Sequence, residues 1–231
     1  MNFSTIRALT LDLDDTLWPI APAIARAEVV LHAWLARNAP ATATRFDIAA
    51  LRMLRDEMAR SRPEIAHDFS AVRRESLRRA LVEAGDDPAL AEAAFEVFFA
   101  ARHELDFYPE VVEALARLAA RFPLLALSNG NAEIARTALA PWFRGGLSAR
   151  EFGVGKPDPR IFHEACRRLR CAPGDVLHVG DDVDLDARAA RSAGLQAYWL
   201  RREPCDPPAN EEERGIATVA CLRTLADRLG C

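Results

Sequence analysis

An α/β fold, with a doubly wound and mostly parallel sheet plus an inserted helical segment, is what this 231-residue chain predicts. Three observations carry that expectation. Short apolar runs ending in Asp, Ser, Asn or Gly alternate with helical patterns after Tyr108-Pro109. A similar run, Ile6 to Leu13 with the single Arg7, stands alone near the N-terminus. Between the two, from about Ile20 to Arg102, Ala, Leu, Glu and Arg recur at helical spacing with almost no β-branched runs.

The elements follow in order. The first strand ends at Thr10-Leu11-Asp12-Leu13-Asp14-Asp15-Thr16-Leu17-Trp18, so it delivers carboxylates to a sheet edge. Four helices are predicted next, near 20–38, 44–60, 69–84 and 88–104. The breaks at Asn38-Ala39-Pro40, Arg62-Pro63 and Gly85-Asp86-Asp87-Pro88 carry turn chemistry. Their Leu, Val and Phe at three- and four-residue spacing read as a four-helix bundle. A helix at about 109–121 leads to a strand at Leu124–Leu127 that ends at Ser128-Asn129-Gly130. Another helix, a short segment near Gly146–Ala149 and a helix from Pro159 to about Arg170 come after it. Asp175–Val179 forms a strand ending at Gly180-Asp181-Asp182. A helix near 184–193, a strand at Gln196–Leu200 and a helix near 221–229 complete the pattern. The expected domains are a core of 1–17 with 106–231 and a helical cap of 18–105. The insertion leaves the sheet at its ligand-binding edge, so it is expected to act as a cap. Glu203–Gly215, with three prolines and several acids, reads as an exposed loop.

Composition narrows the function. Half the residues are apolar and 28% are charged, with both signs interspersed, which suits a globular chain with a proper core. A net charge of −4 gives no broad basic field, so nucleic acid is not an expected partner. Arg73-Arg74, Arg78-Arg79 and Arg167-Arg168 lie in helical patterns that also contain acids, and read as solvated faces. The five cysteines contain no CxxC pair, which argues against a disulfide framework or a zinc site and for reduced thiols. No signal-type segment and no run of membrane-spanning length is present, so a cytoplasmic protein without membrane association is expected. Oligomeric state is left open.

The chemistry sits at the strand ends. Asp12 and Asp14, two apart, share a face and can converge, while Asp15 points elsewhere. Converging carboxylates repel unless a cation lies between them or one keeps its proton. Three further sets join them: Ser128 with Asn129, Lys156 in Gly153-Val154-Gly155-Lys156-Pro157-Asp158-Pro159, and Asp181 with Asp182, Asp184 and Asp186. In open α/β sheets ligands bind beyond the carboxyl ends of the strands. One cation, several carboxylates, a hydroxyl and backbone amides at one edge suit a phosphate with a hard divalent metal such as Mg²⁺. The Gly153–Lys156 segment is not a P-loop, because Arg150 replaces the required earlier glycine. His178 reads as a core residue, and His67–Arg73 as a capped helix start. Trp18 is open between stacking on a substrate ring and packing at the hinge or cap.

These four sets, in this order and spacing, resemble the haloacid dehalogenase superfamily over nearly the full chain, in the branch with a helical cap inserted after the first strand. "Asp-Leu-Asp-Asp-Thr-Leu-Trp", "Leu-Ser-Asn-Gly-Asn-Ala" and "Gly-Lys-Pro-Asp-Pro-Arg-Ile-Phe" further resemble bacterial flavin mononucleotide phosphatases, which also act on a phosphorylated ribitylaminouracil. The resemblance implies a Mg²⁺-dependent phosphatase acting on a small phosphorylated metabolite through an aspartyl-phosphate. It implies that Asp12 is the nucleophile and Asp14 the acid/base. Thr16 would brace the turn beside the phosphate, Ser128 and Asn129 would bind the phosphoryl group, and Lys156 would balance its charge. Asp12, the Asp14 main-chain carbonyl and Asp181 would hold the metal. Asp186 would hold Lys156 or a water on the metal, and Asp182 is an additional acid without an assigned role.

Attack by a carboxylate on a phosphate dianion is resisted by repulsion, which a divalent ion and Lys156 would offset. The alternatives are a phosphosugar mutase or a sugar or nucleotide phosphatase, which reuse the same residues. A haloacid dehalogenase has no leaving alkoxide to protonate, so Asp14 argues against it. A non-catalytic binding protein of this fold has no need of both Asp12 and Asp14.

Overall fold

The computed structural model describes residues 5–202 and 215–231. The loop expected at Glu203–Gly215 therefore falls, except for its last residue, outside the described residues, as does Cys205. The chain divides into two compact units, one of residues up to Pro19 and from Phe107 onward, the other of Ile20–Asp106.

The first unit is a six-stranded sheet. Its strands are β1 (Ala8–Leu11), β2 (Leu124–Ser128), β3 (Gly146–Ser148), β4 (Val176–Gly180), β5 (Gln196–Leu200) and β6 (Thr218–Val219). Their order is β3-β2-β1-β4-β5-β6 and every pairing is parallel. Strands buried on both faces should be continuously apolar. β1, β2 and β4 are buried at every residue, and Leu9, Leu11, Leu125, Leu127, Leu177 and Val179 fill the sheet's core. The order reverses direction between β1 and β4, which is where an α/β sheet opens a crevice for ligands. Asp12 follows β1 and Asp181 follows β4, one on each side of that switch.

The expected helix after β2 is absent. Residues Ile134–Arg136 and Ala140–Trp142 form single 3-10 turns instead. The Thr137 hydroxyl donates to the Ile134 carbonyl at 2.8 Å and accepts from the Leu139 amide at 3.2 Å, a local alternative to the helical ladder. Pro141 then lacks the N–H that a helix would need. A cavity of about 450 Å³ opens here, lined by Leu13, Ala126, Ser128, Ile134 and Leu147. β6 is too short to register as a periodic signal.

In the second unit the helices are α1 (Ile20–Asn38), α2 (Pro40–Arg45), α3 (Ile48–Ser61), α4 (Phe69–Ala84) and α5 (Leu90–Arg102). The bundle thus has five helices where the spacing predicts four. Pro40, expected only to break a helix, also opens the six-residue α2, because proline suits a first helical position. Leu31, Leu35, Leu77, Leu81, Phe95, Phe98 and Phe99 form its apolar core. Asp68 caps α4 by accepting from the Ser70 and Ala71 amides, as the capping reading of His67–Arg73 expects. Arg73, expected on a solvated face, is buried instead. Its guanidinium lies 3.6 Å from the Phe98 ring centre, and burial pushes it down to about 9.

The remaining helices among the described residues belong to the first unit: α6 (Val111–Arg121), α7 (Ala149–Phe152), α8 (Pro159–Leu169), α9 (Ala189–Ser192) and α10 (Leu222–Leu229). A π-helical turn, Val183–Arg188, runs directly into α9. Among the described residues, no helix is long and apolar enough to cross a membrane. Cys166, Cys171, Cys221 and Cys231 are free thiols.

Candidate active site

Asp12 follows the central strand β1, and Lys156 reaches it from the loop between α7 and α8. The Asp12 amide extends the β1–β4 ladder by donating to the Val179 carbonyl at 2.9 Å, which fixes where its carboxylate emerges. Lys156 Nζ donates to Asp12 Oδ1 and Asp186 Oδ1, each at 2.5 Å. All three side chains are buried, and Lys156 is only 5% exposed. Burial works against the ammonium charge, yet Asp12 and Asp186 outweigh it and hold Lys156 well above its usual range.

Lys156 is placed by Asn129. The Asn129 side-chain amide donates to the Lys156 carbonyl and accepts from the Lys156 amide, both at 2.7 Å. A side chain paired with a backbone in this way is a brace. The Asn129 side-chain amide is therefore committed to the lysine loop. The close approach needs Gly155, where a Cβ would stand 2.4 Å from Asn129 Oδ1.

Asp186 reaches the cluster from the π-helical turn. Its carboxylate also receives the Asp182 amide at 3.1 Å and lies 3.0 Å from His178 Nε2. His178 is the expected core residue of β4, but its ring does more than pack. Nδ1 lies 2.8 Å from Thr10 Oγ1, so a neutral imidazole that accepts from Thr10 donates to Asp186. Burial keeps His178 below its usual range, consistent with the neutral ring. Burial opposes the Asp186 charge, but Lys156 and His178 hold it well below the usual carboxylate range. Gly180 makes room, since a Cβ there would lie 2.2 Å from Asp186 Cγ.

Asp12, Asp181 and Asp186 form the group of carboxylates whose oxygens lie within 4.8 Å of one another among the described residues. One lysine cannot neutralise three of them. Burial pushes Asp12 well above the usual range, despite Lys156, and Asp186 adds to the effect. Asp181 is pushed up to about 6 by burial and by Asp186, although it accepts from Thr16 Oγ1 at 2.9 Å. The buried Thr16 hydroxyl is thus engaged with Asp181 and ties the turn after β1 to the end of β4. A divalent cation reverses such crowding, and an all-oxygen donor set suits Mg²⁺. The residues present fit that metal.

Asp14 stands apart from this acidic group. Its Oδ1 accepts from Trp18 Nε1 at 2.8 Å. Its Oδ2 lies against Gly130, where a Cβ would stand 2.4 Å from Oδ2 and 3.2 Å from Ser128 Oγ. Ser128 is buried, and its Oγ accepts from the Gly130 amide at 2.9 Å. Asp15 takes φ +57°, in the left-handed region that aspartate tolerates better than most residues. Trp18 is 0% exposed, which decides the open choice for packing rather than stacking on a substrate ring. Trp18 also falls on the sheet side of the division after Pro19, beyond the expected boundary at 17.

Asp182 takes a structural part. Its carboxylate accepts from the Asp184 and Leu185 amides at 2.8 and 2.9 Å and so caps the π-helical turn. Asp184 faces outward to Arg188. His178 and three glycines, 130, 155 and 180, are the contributors that periodicity missed. A close backbone approach leaves no mark in an apolar pattern, although Gly130 adjoins Asn129, Gly155 adjoins Lys156 and Gly180 adjoins Asp181. Arg202, at the C-terminal side of β5, donates to the Thr16 carbonyl and to Glu110 Oε1, tying down the loop after β1.

A haloacid dehalogenase-like hydrolase family model matches residues 6–194. The chain belongs to that family. Among family members, the 5-amino-6-(5-phospho-D-ribitylamino)uracil phosphatase YigB of Escherichia coli (strain K12) is 35% identical, over 87% of this chain and 86% of its own. A glyceraldehyde 3-phosphate phosphatase of Methanopyrus kandleri is 30% identical over 96% of this chain and 99% of its own. Among solved structures, a 2-haloacid dehalogenase from Pseudomonas syringae pv. Tomato DC3000 matches with a TM-score of 0.86 and 38% identity, covering 97% of this chain and 98% of that one.

Proposed function

We propose that this hydrolase is a Mg²⁺-dependent phosphatase that cleaves a small phosphate monoester through a phosphorylated Asp12. The observation that carries the reading is the pairing of two carboxylates in different surroundings. Asp12 is crowded with two other acids around Lys156, whereas Asp14 stands with Ser128, Gly130 and Trp18. A divalent cation and Lys156 would keep Asp12 ionised for attack, which leaves Asp14, outside that group, to carry the proton. The relatives' names point both to phosphatases and to a dehalogenase. A halide leaves without a proton, so a dehalogenase has no use for Asp14 as acid.

Each residue then has a task. Asp12 attacks phosphorus with one carboxylate oxygen. Lys156 steadies that carboxylate and the incoming phosphate, while Asn129 fixes the lysine loop and His178 fixes Asp186. Asp14 protonates the leaving oxygen and then takes a proton from the water that attacks the phosphoaspartate. Ser128 offers its hydroxyl to the transferring group. Asp12, Asp181 and the Asp14 main-chain carbonyl would hold Mg²⁺, with Asp186 and Thr16 supporting them. When bound, Mg²⁺ supplies positive charge against the phosphate and keeps Asp12 ionised. Choice of leaving group is assigned to the helical insertion, since the residues gathered at the sheet edge have chemistry suited only to phosphate.

The test is a panel of phosphorylated metabolites assayed with Mg²⁺ and after chelation. Release of inorganic phosphate that stops on chelation and returns with Mg²⁺ is expected. Halide release from 2-haloacids with no phosphate release from any monoester would contradict the reading. The ribitylaminouracil phosphatase among the relatives puts flavin mononucleotide and the ribitylaminouracil phosphate first in the panel. If both rank among the poorest substrates, that narrower assignment fails. Isomer formation from a hexose phosphate in place of phosphate release would favour a mutase.

Gly130→Ala gives a further check. The new methyl group meets Asp14 Oδ2 and must displace the carboxylate. Misplacing a catalytic group by about 1 Å costs on the order of 10²-fold in rate. The variant should keep its melting temperature and lose turnover of about that size. A fully active variant would mean that Asp14 works from another position.

A further inference from the structure

Trp18 has a task that neither the motif nor the family match assigns to it. The loop after β1 doubles back on itself. The Leu17 amide donates to the Leu13 carbonyl and the Asp15 amide to the Trp18 carbonyl, both at 2.8 Å. The turn returns the Trp18 indole to Asp14, four residues earlier in the chain. The ring is wholly buried, and its centre lies 5.9 Å from that of Phe107. The adjoining Tyr108 amide donates to the Leu17 carbonyl at 3.1 Å. The indole is therefore clamped from two segments, and so is its N–H.

That N–H donates to Asp14 Oδ1 at 2.8 Å. An indole nitrogen can only donate, so Oδ1 is committed to accepting. The other oxygen, Oδ2, lies beside Gly130 on the side of Ser128. The two oxygens of one carboxylate thus have different occupations. We propose that Trp18 is the positioning residue of the acid/base, holding Asp14 by Oδ1 so that Oδ2 carries the proton toward the leaving group. The inference rests on the phosphatase reading and deepens it.

The proton balance is simple. An Asp12 oxygen bonds to phosphorus, and the phosphorus–oxygen bond to the leaving group breaks with its electron pair on that oxygen. The leaving oxygen takes the proton from Asp14 Oδ2. Water then attacks phosphorus and gives a proton to Oδ2, and Asp12 departs as a carboxylate. Water is the only other reactant.

Trp18→Phe keeps the ring in its pocket and removes only the donor. The readout is kcat/KM, which ends at departure of the leaving group and is blind to the later hydrolysis of the phosphoenzyme. It is measured on an alkyl phosphate, which needs a proton, and on p-nitrophenyl phosphate, whose leaving group needs little help. The alkyl phosphate should lose about tenfold, the aryl phosphate less than about twofold. In an Asp14→Asn background the same substitution should cost nothing more on the alkyl phosphate. Equal losses on both substrates, or no loss on either, would overturn the assignment of Trp18 while leaving the phosphatase reading intact. A wild-type protein inert on both phosphates with Mg²⁺ would instead sink the phosphatase reading, and Trp18 with it. Folding of the Phe variant is not essential to the test. In the unaltered protein the Trp18 indole proton should resonate downfield of an unbonded indole and shift on Asp14→Asn. An indole signal indifferent to that change would equally overturn the proposal.

Discussion

Asp12→Asn is expected to fold, to melt no lower than the wild type, and to lose at least about 10⁴-fold in turnover. Loss of a sole nucleophile typically costs several orders of magnitude, because the remaining groups can only orient water. The stability half of the prediction follows from the site's crowding. Burial and Asp186 already press Asp12 toward its neutral form. A neutral amide of the same shape removes one of three negative charges that share one lysine. A catalytic group held against its own charge is a common place for stability to have been given up for activity. Thermal melts and phosphate-release assays on the same preparation check both halves. An asparagine variant with near-normal turnover would remove Asp12 from the chemistry.

Lys156→Met should do the opposite to stability while also ending activity. The ammonium is buried and bonded to Asp12 and Asp186, and methionine has similar length without the charge. Removing one partner of a buried ion pair typically costs about 3–5 kcal/mol, because the other charge stays behind uncompensated. For a chain of this size that is a drop of roughly 10 °C in melting temperature. Turnover should become negligible, since nothing would then offset repulsion between Asp12 and the phosphate. The double variant Lys156→Met/Asp12→Asn should regain part of the lost stability, because one orphaned carboxylate becomes an amide. Additive losses in the double variant would mean that the two side chains are not energetically coupled.

Much of the sheet was legible because its signal is local. β1, β2 and β4 are apolar runs closed by Asp, Ser or Gly, β5 is an apolar run closed by Arg201, and each lies within a residue or two of the expected span. The long helices α1, α3, α4, α6 and α8 follow from apolar spacing and from stops such as Gly85 and Arg62-Pro63. The segment after Ser128 misled because its spacing looks helical, while the Thr137 hydroxyl and Pro141 make the backbone choose turns. In the site, Asp12, Asp181 and Asp186 converge because the parallel sheet brings the ends of β1 and β4 together, and Lys156 joins them from the loop after α7. The side-chain commitments of Thr16 and Asn129 are invisible in a motif. One hydroxyl is used on Asp181 and one amide on the Lys156 backbone. The polar partners of Trp18 and His178 are hidden for the same reason. An aromatic residue in an apolar setting gives no sign of the carboxylate its nitrogen will meet.

The central claim is that Asp12 takes the phosphoryl group. Mixing the enzyme with an excess of a good phosphate monoester and Mg²⁺, quenching in acid and digesting the chain tests it directly by peptide mass spectrometry. One phosphoryl group should appear on the peptide containing Asp12, labile to hydroxylamine as an acyl phosphate must be, and absent from Asp12→Asn. Steady turnover with an unmodified Asp12 peptide, or with the phosphoryl group on another residue, would contradict the account.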